Sequence, residues 1–229
     1  MMDKVALISG GSRGIGAEVA GLLADAGWRL SLGLRRPEEA DARWRDHHVA
    51  PFDAFEANEA AWAEAALAQY GRIDAVICCA GIIEVQDVIS VSDDALDAML
   101  EVNVKSPRRL VRASWKALGM SGTGRVVMLA SLSGKRVASA ASGAYSMTKF
   151  SAVALTHGIR QAGWDKGIRA TAICPSYVNT EMAEAITDFP AGEMTQPSDV
   201  ARMVKLALDL PNTASVAEMA VTCQREASY

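Results

Sequence analysis

The chain alternates between short, continuously apolar runs and longer segments in which apolar residues recur every three or four positions. The continuous runs predict strands buried on both faces, because a strand with one face in water would alternate apolar and polar residues. The segments with helical periodicity predict amphipathic helices between those strands. Strands are expected at 5–9, at 30–34, just before Phe52, and at 75–79, 125–130, 170–174 and 217–222.

Segments with the helical pattern separate the strands along the whole chain. Strands that alternate with helices predict an α/β fold with a parallel sheet, and right-handed crossovers make that sheet doubly wound, with helices on both faces. No internal repeat, low-complexity tract or linker-like break interrupts the sequence, so one domain spanning residues 1–229 is expected. Helices are expected at 17–26, 57–70, 93–118 with a bend near Pro107, 144–162 and 197–210.

Composition and charge narrow the class of protein. The 229 residues are 50% hydrophobic and 22% charged, with a formal net charge of −4, as in many globular enzymes. Without a concentrated basic face no nucleic-acid partner is expected, and no apolar stretch has the length of a membrane span. The N-terminus lacks a leader-like basic region, so a cytoplasmic protein is expected. No metal-ligand spacing is present, and reduced thiols are expected at Cys78, Cys79, Cys174 and Cys223.

A glycine-rich loop joins the first strand to the first helix. Its sequence is Ser9-Gly10-Gly11-Ser12-Arg13-Gly14-Ile15-Gly16. Glycines allow a tight turn and let a phosphate approach the backbone, while the helix N-terminus offers free N–H groups and a partial positive charge. The loop therefore predicts a pyrophosphate site for a dinucleotide. A glycine-rich turn without a ligand would have the same pattern.

The end of the second strand indicates which dinucleotide binds. NAD(H) binders usually have a carboxylate there for the adenosine ribose, whereas this strand ends in Arg35 and Arg36. A guanidinium suits the 2′-phosphate of NADP(H), so Arg35 is expected to bind this phosphate, and Arg13 is expected to be a second contact to it. NADP(H) is accordingly favoured over NAD(H), although both arginines could simply face solvent. Asp53, after the third strand, is a candidate partner of the adenine amino group.

Tyr145 and Lys149 form a Tyr-x-x-x-Lys pair near the start of a predicted helix, one turn apart on one face. A neighbouring ammonium favours the phenolate and would lower the tyrosine pKa from about 10, which suits acid/base work. Ser131 and Ser133 follow a strand just upstream, at the sheet edge where α/β sites lie. Ser131 is preferred over Ser133 as the hydroxyl that holds a carbonyl oxygen.

The sequence resembles the classical short-chain dehydrogenase/reductase family, with motifs in the family's order from about residue 3 to residue 182. The family's Asn-Asn-Ala-Gly is met here as Cys78-Cys79-Ala80-Gly81, and the glycine after Pro175 is replaced by Ser176. The thiols are expected to fill core space, with some loss of bracing hydrogen bonds, and Ser176 is expected to narrow the space beside the nicotinamide. The matching motif residues are Gly10, Gly14, Gly16, Asn103, Ser131, Tyr145, Lys149, Pro175 and Thr180.

The resemblance implies a Rossmann-type fold and hydride transfer between a nicotinamide and a carbonyl or secondary alcohol. It assigns Tyr145 as acid/base, Lys149 to lowering the tyrosine pKa and binding ribose, Ser131 to orienting the carbonyl, and Asn103 to holding a water. It also implies a homodimer or homotetramer, packed through the helices predicted at 93–118 and 144–162. The expected cofactor-binding residues are Gly10, Ser12, Arg13, Gly14, Ile15, Gly16, Arg35, Asp53, Ala80, Gly81, Tyr145, Lys149, Pro175, Val178 and Thr180.

The substrate end is less defined. A short lid is expected at 181–195, with Met182, Ala183, Ile186, Phe189 and Met194 as its apolar members. Lys135 and Arg136 could reach an acidic substrate, although exposed loop charge is the simpler interpretation. His47 and His48 are expected to precede the third strand, and His157 to pack on a helix. Other residues expected to line the pocket are Ala138, Ser139, Ala140, Ser142 and Tyr177.

Two other classes of protein remain as alternatives. One is a dinucleotide-sensing regulator with the same fold and no catalysis, which should have lost part of the set Asn103, Ser131, Tyr145 and Lys149. The other is a sugar-nucleotide epimerase or dehydratase, which would need a larger substrate domain than the roughly fifty residues after Thr180 provide.

Overall fold

In the computed structural model, which describes residues 3–226, seven parallel strands form one sheet in the order β3-β2-β1-β4-β5-β6-β7. The chain order reverses between β1 and β4, which is the place where sheets of this type bind ligands. The predicted doubly wound parallel sheet is confirmed. The strands are β1 Val5–Ser9, β2 Arg29–Leu34, β3 His48–Pro51, β4 Ala75–Cys78, β5 Arg125–Leu129, β6 Arg169–Pro175 and β7 Glu218–Val221.

Helices cover both faces of the sheet, because neighbouring side chains along each strand point to opposite sides. In β1, Leu7 packs in a core with Trp62 of α2, whereas Ile8 packs in a second core with Val19 of α1 and Val204 of α7. Continuous burial along the strands follows from this double cover. The helices are α1 Gly14–Asp25, α2 Glu59–Tyr70, α3 Asp93–Leu100, α4 Ser106–Met120, α5 Gly143–Gly163, α6 Glu181–Glu184 and α7 Pro197–Asp209.

The long amphipathic segment predicted at 93–118 contains an irregularity, although not at the proline. A π-helical turn, Glu101–Lys105, lies between α3 and α4, and it contains Asn103. Pro107 is the second residue of α4, directly after this turn. The irregularity thus lies at the π turn, a feature common at functional sites.

Two of the boundaries that differ from the sequence-based expectation have a clear local cause. His48 is the first residue of β3 and does not precede it; its Nδ1 lies 2.7 Å from the hydroxyl of Ser31 on β2. Because His48 is polar, a search for consecutive apolar residues does not recognise it as the start of this edge strand. The second helix begins at Glu59 and not at residue 57, because Ala57 has a left-handed φ of 51° that no α-helix accommodates.

No helix within residues 3–226 is long and apolar enough to cross a membrane. Over the same range, no group of three or more histidine, cysteine, aspartate or glutamate side chains is arranged to hold a metal ion.

Candidate active site

A cleft of about 750 Å³ opens at the carboxyl ends of the strands, beside the switch between β1 and β4. The glycine loop, the loop after β4, the start of α5 and the segment that follows β6 all contribute to its walls. The structure thus brings together all of the predicted site residues except Asn103. Those that line the cleft are Gly10, Ser12, Arg13, Gly14, Ile15, Gly16, Arg35, Asp53, Ala80, Gly81, Ser131, Tyr145, Lys149, Pro175, Val178 and Thr180.

The glycine loop has a shape that side chains would block. Gly10 has a φ of +70°, and a Cβ on it would lie 2.8 Å from the backbone nitrogen of Ala80. A Cβ on Gly16 would lie 2.2 Å from the carbonyl oxygen of Gly10. No acidic residue and no capping side chain occupies the first turn of α1, so its free N–H groups remain available. These features fit a dinucleotide pyrophosphate.

The end of β2 supplies the charges expected for the adenosine half. Arg35 is exposed at the cleft, and its guanidinium makes no ion pair with any residue in the range 3–226. Asp53 uses Oδ1 to accept a hydrogen bond from the backbone N–H of Phe55 at 2.9 Å. Arg13 instead forms an ion pair with Glu181, the first residue of α6, and that pair connects the glycine loop to the lid. The expected contact of Arg13 with the 2′-phosphate stays a prediction. That contact would require the ion pair between Arg13 and Glu181 to open.

Tyr145 and Lys149 lie on one face of α5, as their spacing predicted. Ser131 lies beside the Tyr145 hydroxyl, two residues after the end of β5; its own hydroxyl donates to the carbonyl oxygen of Pro175 at 3.4 Å and accepts from the backbone N–H of Ser133 at 3.0 Å. Ser131 is therefore the serine that meets the tyrosine, in line with its preference over Ser133. The Lys149 ammonium donates to the carbonyl oxygen of Leu129 at 2.9 Å.

Burial dominates the electrostatics of this pair. Burial raises the pKa of Tyr145, and the hydrogen bond from Ser131 opposes that rise in pKa. Burial lowers the pKa of Lys149 to about 8. The Lys149 ammonium donates to Leu129 and stands 5.6 Å from the centre of the Tyr145 ring, and burial sets the direction of the Tyr145 pKa. The expected lowering of the tyrosine pKa by Lys149 stays a prediction.

Asn103 lies behind the cleft and does not line it. Its side-chain nitrogen donates to the carbonyl oxygen of Ile82 at 3.0 Å and to the hydroxyl of Thr148 at 3.1 Å. Its side-chain oxygen accepts from the N–H of Ile82 at 3.0 Å. These bonds connect the loop after β4 to α5, so the side chain acts as a brace. Its role in holding a water stays a prediction.

The cysteine pair fills space, as expected. Cys78 is buried on β4, and burial raises its thiol pKa to about 12. Burial likewise raises the pKa of Cys79, and both thiols are free. Ser9 braces this strand end, because its carbonyl accepts from the N–H of Cys79 at 3.2 Å and its hydroxyl accepts from that of Ala80 at 3.3 Å. The bracing expected to be lost is thus partly supplied by Ser9.

The substrate end confirms some expectations and corrects others. Ala138, Ser139, Ser142 and Tyr177 line the cleft with Met182, Ala183 and Ile186 of the lid, whereas Ala140, Phe189 and Met194 do not. Arg136 is no exposed loop charge, since it lines the cleft and its side chain is only 21% exposed. Residues that the sequence left unassigned also line it: Ile82, Ile83, Glu84, Val85, Gln224 and Glu226.

Ser176 does more than occupy space beside the cleft. Its hydroxyl accepts a hydrogen bond from the backbone N–H of Cys223 at 3.1 Å, and its own N–H donates to Val221 at 2.9 Å. The serine therefore attaches the segment after β7 to the end of β6. His157 reaches the same region: its Nε2 lies 2.6 Å from a carboxylate oxygen of Glu218 on β7.

Comparisons with known proteins agree with this geometry. A family model described as short chain dehydrogenase matches residues 4–191. Agropine synthesis reductase from Rhizobium rhizogenes is 38% identical over 99% of this chain, and the oxidoreductase UcpA from Escherichia coli is 32% identical over 90% of it. An alcohol dehydrogenase from Thermococcus sibiricus, complexed with 5-hydroxy-NADP, has a TM-score of 0.87 at 26% identity, covering 97% of this chain and 98% of that one.

The relatives differ in length. The chain spans 54% of the agropine synthesis reductase and 83% of UcpA. The similarity to the first of these thus concerns about half of a longer protein.

Proposed function

Because the chain belongs to the short-chain dehydrogenase/reductase family and is an oxidoreductase of that family, we propose that it is an NADP(H)-preferring carbonyl reductase with Tyr145 as its acid/base. The observation that carries the proposal is that Tyr145, Ser131 and Lys149 line the same cleft as the glycine loop. That arrangement supports Tyr145 as the proton donor and Ser131 as the hydroxyl that orients a carbonyl.

NADP(H), when bound, supplies or accepts the hydride. The glycine loop and the N-terminus of α1 would hold its pyrophosphate, and Val178 and Thr180 would hold its carboxamide. Lys149 would contact the nicotinamide ribose from α5. The protein's contribution is to place these groups and to exclude water.

The proton transfer belongs to residues of this chain. In the reducing direction, Tyr145 donates its hydroxyl proton to the carbonyl oxygen, and Ser131 donates a hydrogen bond to that oxygen and polarises it. The tyrosine must begin this step protonated. Its burial raises its pKa and so favours the protonated form.

The preference for NADP(H) rests on the end of β2. Arg35 lies at the cleft without an ion-pair partner in the described part of the chain, where NAD(H) binders have a carboxylate. Arg36 pairs with Glu39 and does not line the cleft. Arg35 is thus the cation available to a 2′-phosphate. The Thermococcus alcohol dehydrogenase complexed with 5-hydroxy-NADP supports this choice.

A homodimer or homotetramer in the cytoplasm completes the proposal. Met147 and Phe150 are large apolar side chains exposed on α5, at 41% and 43%, and Met120 is exposed at the end of α4. Apolar side chains on these two helices would be covered by a symmetric copy of the chain.

The test is consumption of NADPH and NADH with a panel of diketones, quinones, aldehydes and β-keto esters. Tyr145→Phe should lower kcat by about two to four orders of magnitude while NADPH still binds. Arg35→Ser should raise the KM for NADPH about tenfold and leave that for NADH unchanged, because it removes a charge-assisted hydrogen bond. Arg36→Ser is the matched control and should change neither value.

The outcomes separate the alternatives. Cofactor binding without turnover of any panel member would favour the dinucleotide-sensing regulator. Equal effects of Arg35→Ser and Arg36→Ser would refute the assignment of Arg35, and full activity of Tyr145→Phe would refute the acid/base role.

A further inference from the structure

A buried ion pair stands at the substrate end of the cleft, outside the residues assigned to hydride transfer. Arg136 lines the cleft and donates through Nε to Oε2 of Glu226 at 2.9 Å, and its Nη2 reaches the same oxygen. The Glu226 side chain is only 8% exposed, although it follows the last strand by several residues. A carboxylate buried in this way loses its hydration and needs other partners.

The pair leaves hydrogen-bonding capacity unused. The second carboxylate oxygen of Glu226, Oε1, is buried and has no hydrogen-bond partner within residues 3–226. On Arg136, Nε and Nη2 are both directed to Glu226, and no contact of Nη1 is made over the same range. Buried carboxylate oxygens without a partner are unusual, because the lost hydration is not replaced. The pair therefore leaves one acceptor and one donor without a partner beside the cleft.

Neighbouring contacts hold the pair in position. The backbone N–H of Arg136 donates to the carbonyl oxygen of Leu132 at 3.1 Å, which fixes it close to Ser131 in the chain. On the other side, the bonds between Ser176 and the segment around Cys223 bring the residues before Glu226 over the end of β6. Both partners are thus fixed by elements that also form the catalytic end of the cleft.

We propose that Arg136 and Glu226 form a recognition site for a carboxamide at the end of the substrate away from the reacting carbonyl. A primary carboxamide offers a carbonyl oxygen to Nη1 of Arg136 and an N–H to Oε1 of Glu226. Because the two charges of the pair cancel, a neutral polar group suits the site better than a lone carboxylate or ammonium. This inference rests on the proposed carbonyl reduction and specifies its substrate class.

The experiment compares three sets of methyl ketones with spacers of increasing length. One set ends in a carboxamide, one in an isopropyl group of the same shape, and one in a carboxylate. With NADPH, the native protein should show about tenfold higher kcat/KM on the carboxamide at the best spacer length, because two buried hydrogen bonds are gained. Glu226→Ala and Arg136→Met should each abolish that preference, so that the carboxamide and isopropyl ketones have equal kcat/KM in each variant.

The matched control is Arg202→Met, which breaks an ion pair with Asp199 on α7, outside the cleft. It should retain the carboxamide preference. Equal kcat/KM on carboxamide and isopropyl ketones, or a preference for the carboxylate, would overturn the inference and leave the proposed reduction intact.

Binding gives a readout that does not depend on turnover. The NADPH-loaded protein should melt at a higher temperature with the carboxamide ketone than with the isopropyl ketone, and Glu226→Ala should remove the difference. Carboxamide binding without any reduction would support the recognition site and refute the proposed reaction. If the carboxamide ketone neither binds nor is reduced, the recognition site and the proposed reaction are both refuted.

Discussion

Lys149 places a positive charge inside the protein, and that placement should be visible as a dependence of stability on pH. Its side chain is buried, its ammonium donates to the carbonyl oxygen of Leu129, and no carboxylate within residues 3–226 forms an ion pair with it. Burial lowers its pKa from 10.5 to about 8. The informative change is Lys149→Met, which keeps the length of the side chain and removes the charge.

The sign follows from proton linkage. Since the folded pKa lies below the unfolded one, the unfolded chain binds more protons between the two values, and the stability of the native protein rises with pH across that window. Below about pH 8 the native protein therefore carries the full penalty of the buried charge. Between about pH 7 and about pH 10, the native protein should gain about 2.5 kcal/mol relative to Lys149→Met.

Thermal unfolding of the cofactor-free protein measures this difference. For a chain of this size, about 2.5 kcal/mol corresponds to a change of roughly 5–10 °C in the gap between the two melting temperatures. Lys149→Met also loses the hydrogen bond to Leu129, but this loss lowers the stability equally at both ends of the pH range. It therefore does not contribute to the change in the gap between the melting temperatures. Lys116→Met, at an exposed position on α4, is the matched control and should show a constant gap.

A constant gap between Lys149→Met and the native protein from about pH 7 to about pH 10 would refute the reasoning. It would mean that the ammonium is solvated in the folded protein as well as in the unfolded chain.

Two further substitutions test the packing beneath the site. Gly10→Ala should lower the free energy of unfolding by about 2 kcal/mol, because the φ of Gly10 is positive and the new Cβ would lie 2.8 Å from Ala80. Gly21→Ala, with open space around it, is the control. Equal urea midpoints for the two variants would contradict this prediction. Glu59→Gln should lower the free energy of unfolding by about 3 kcal/mol, since it weakens the pair between the fully buried Glu59 carboxylate and Arg109. An unchanged urea midpoint would show that the pair contributes nothing.

Most of the sheet could be predicted because its strands are buried on both faces and so consist of consecutive apolar residues. β3 is the exception at its boundary, since His48 is a polar residue satisfied by Ser31. The start of α2 was also missed, because alanine at position 57 suits a helix and nothing local signals its left-handed backbone.

That Ser131, Tyr145 and Lys149 share one cleft was predictable because these residues follow a strand end or lie one helical turn apart. The Arg136–Glu226 pair was not, because its members are ninety positions apart and lie in segments without periodicity. The effect of burial on the Tyr145 pKa was not predicted either. Spacing shows that Lys149 is near the tyrosine, but only the fold shows that burial dominates and that Leu129 receives the ammonium.

The position of β1 has a consequence for the way the chain is made. β1 pairs with β2 on one side and with β4 on the other, from Ala6 opposite Ala75 to Ser9 opposite Cys78. On a ribosome, all five buried residues of β1 therefore wait for about seventy further residues before the centre of the sheet can close. In that interval the nascent chain presents an apolar strand with an open edge, a feature that favours mispairing and aggregation.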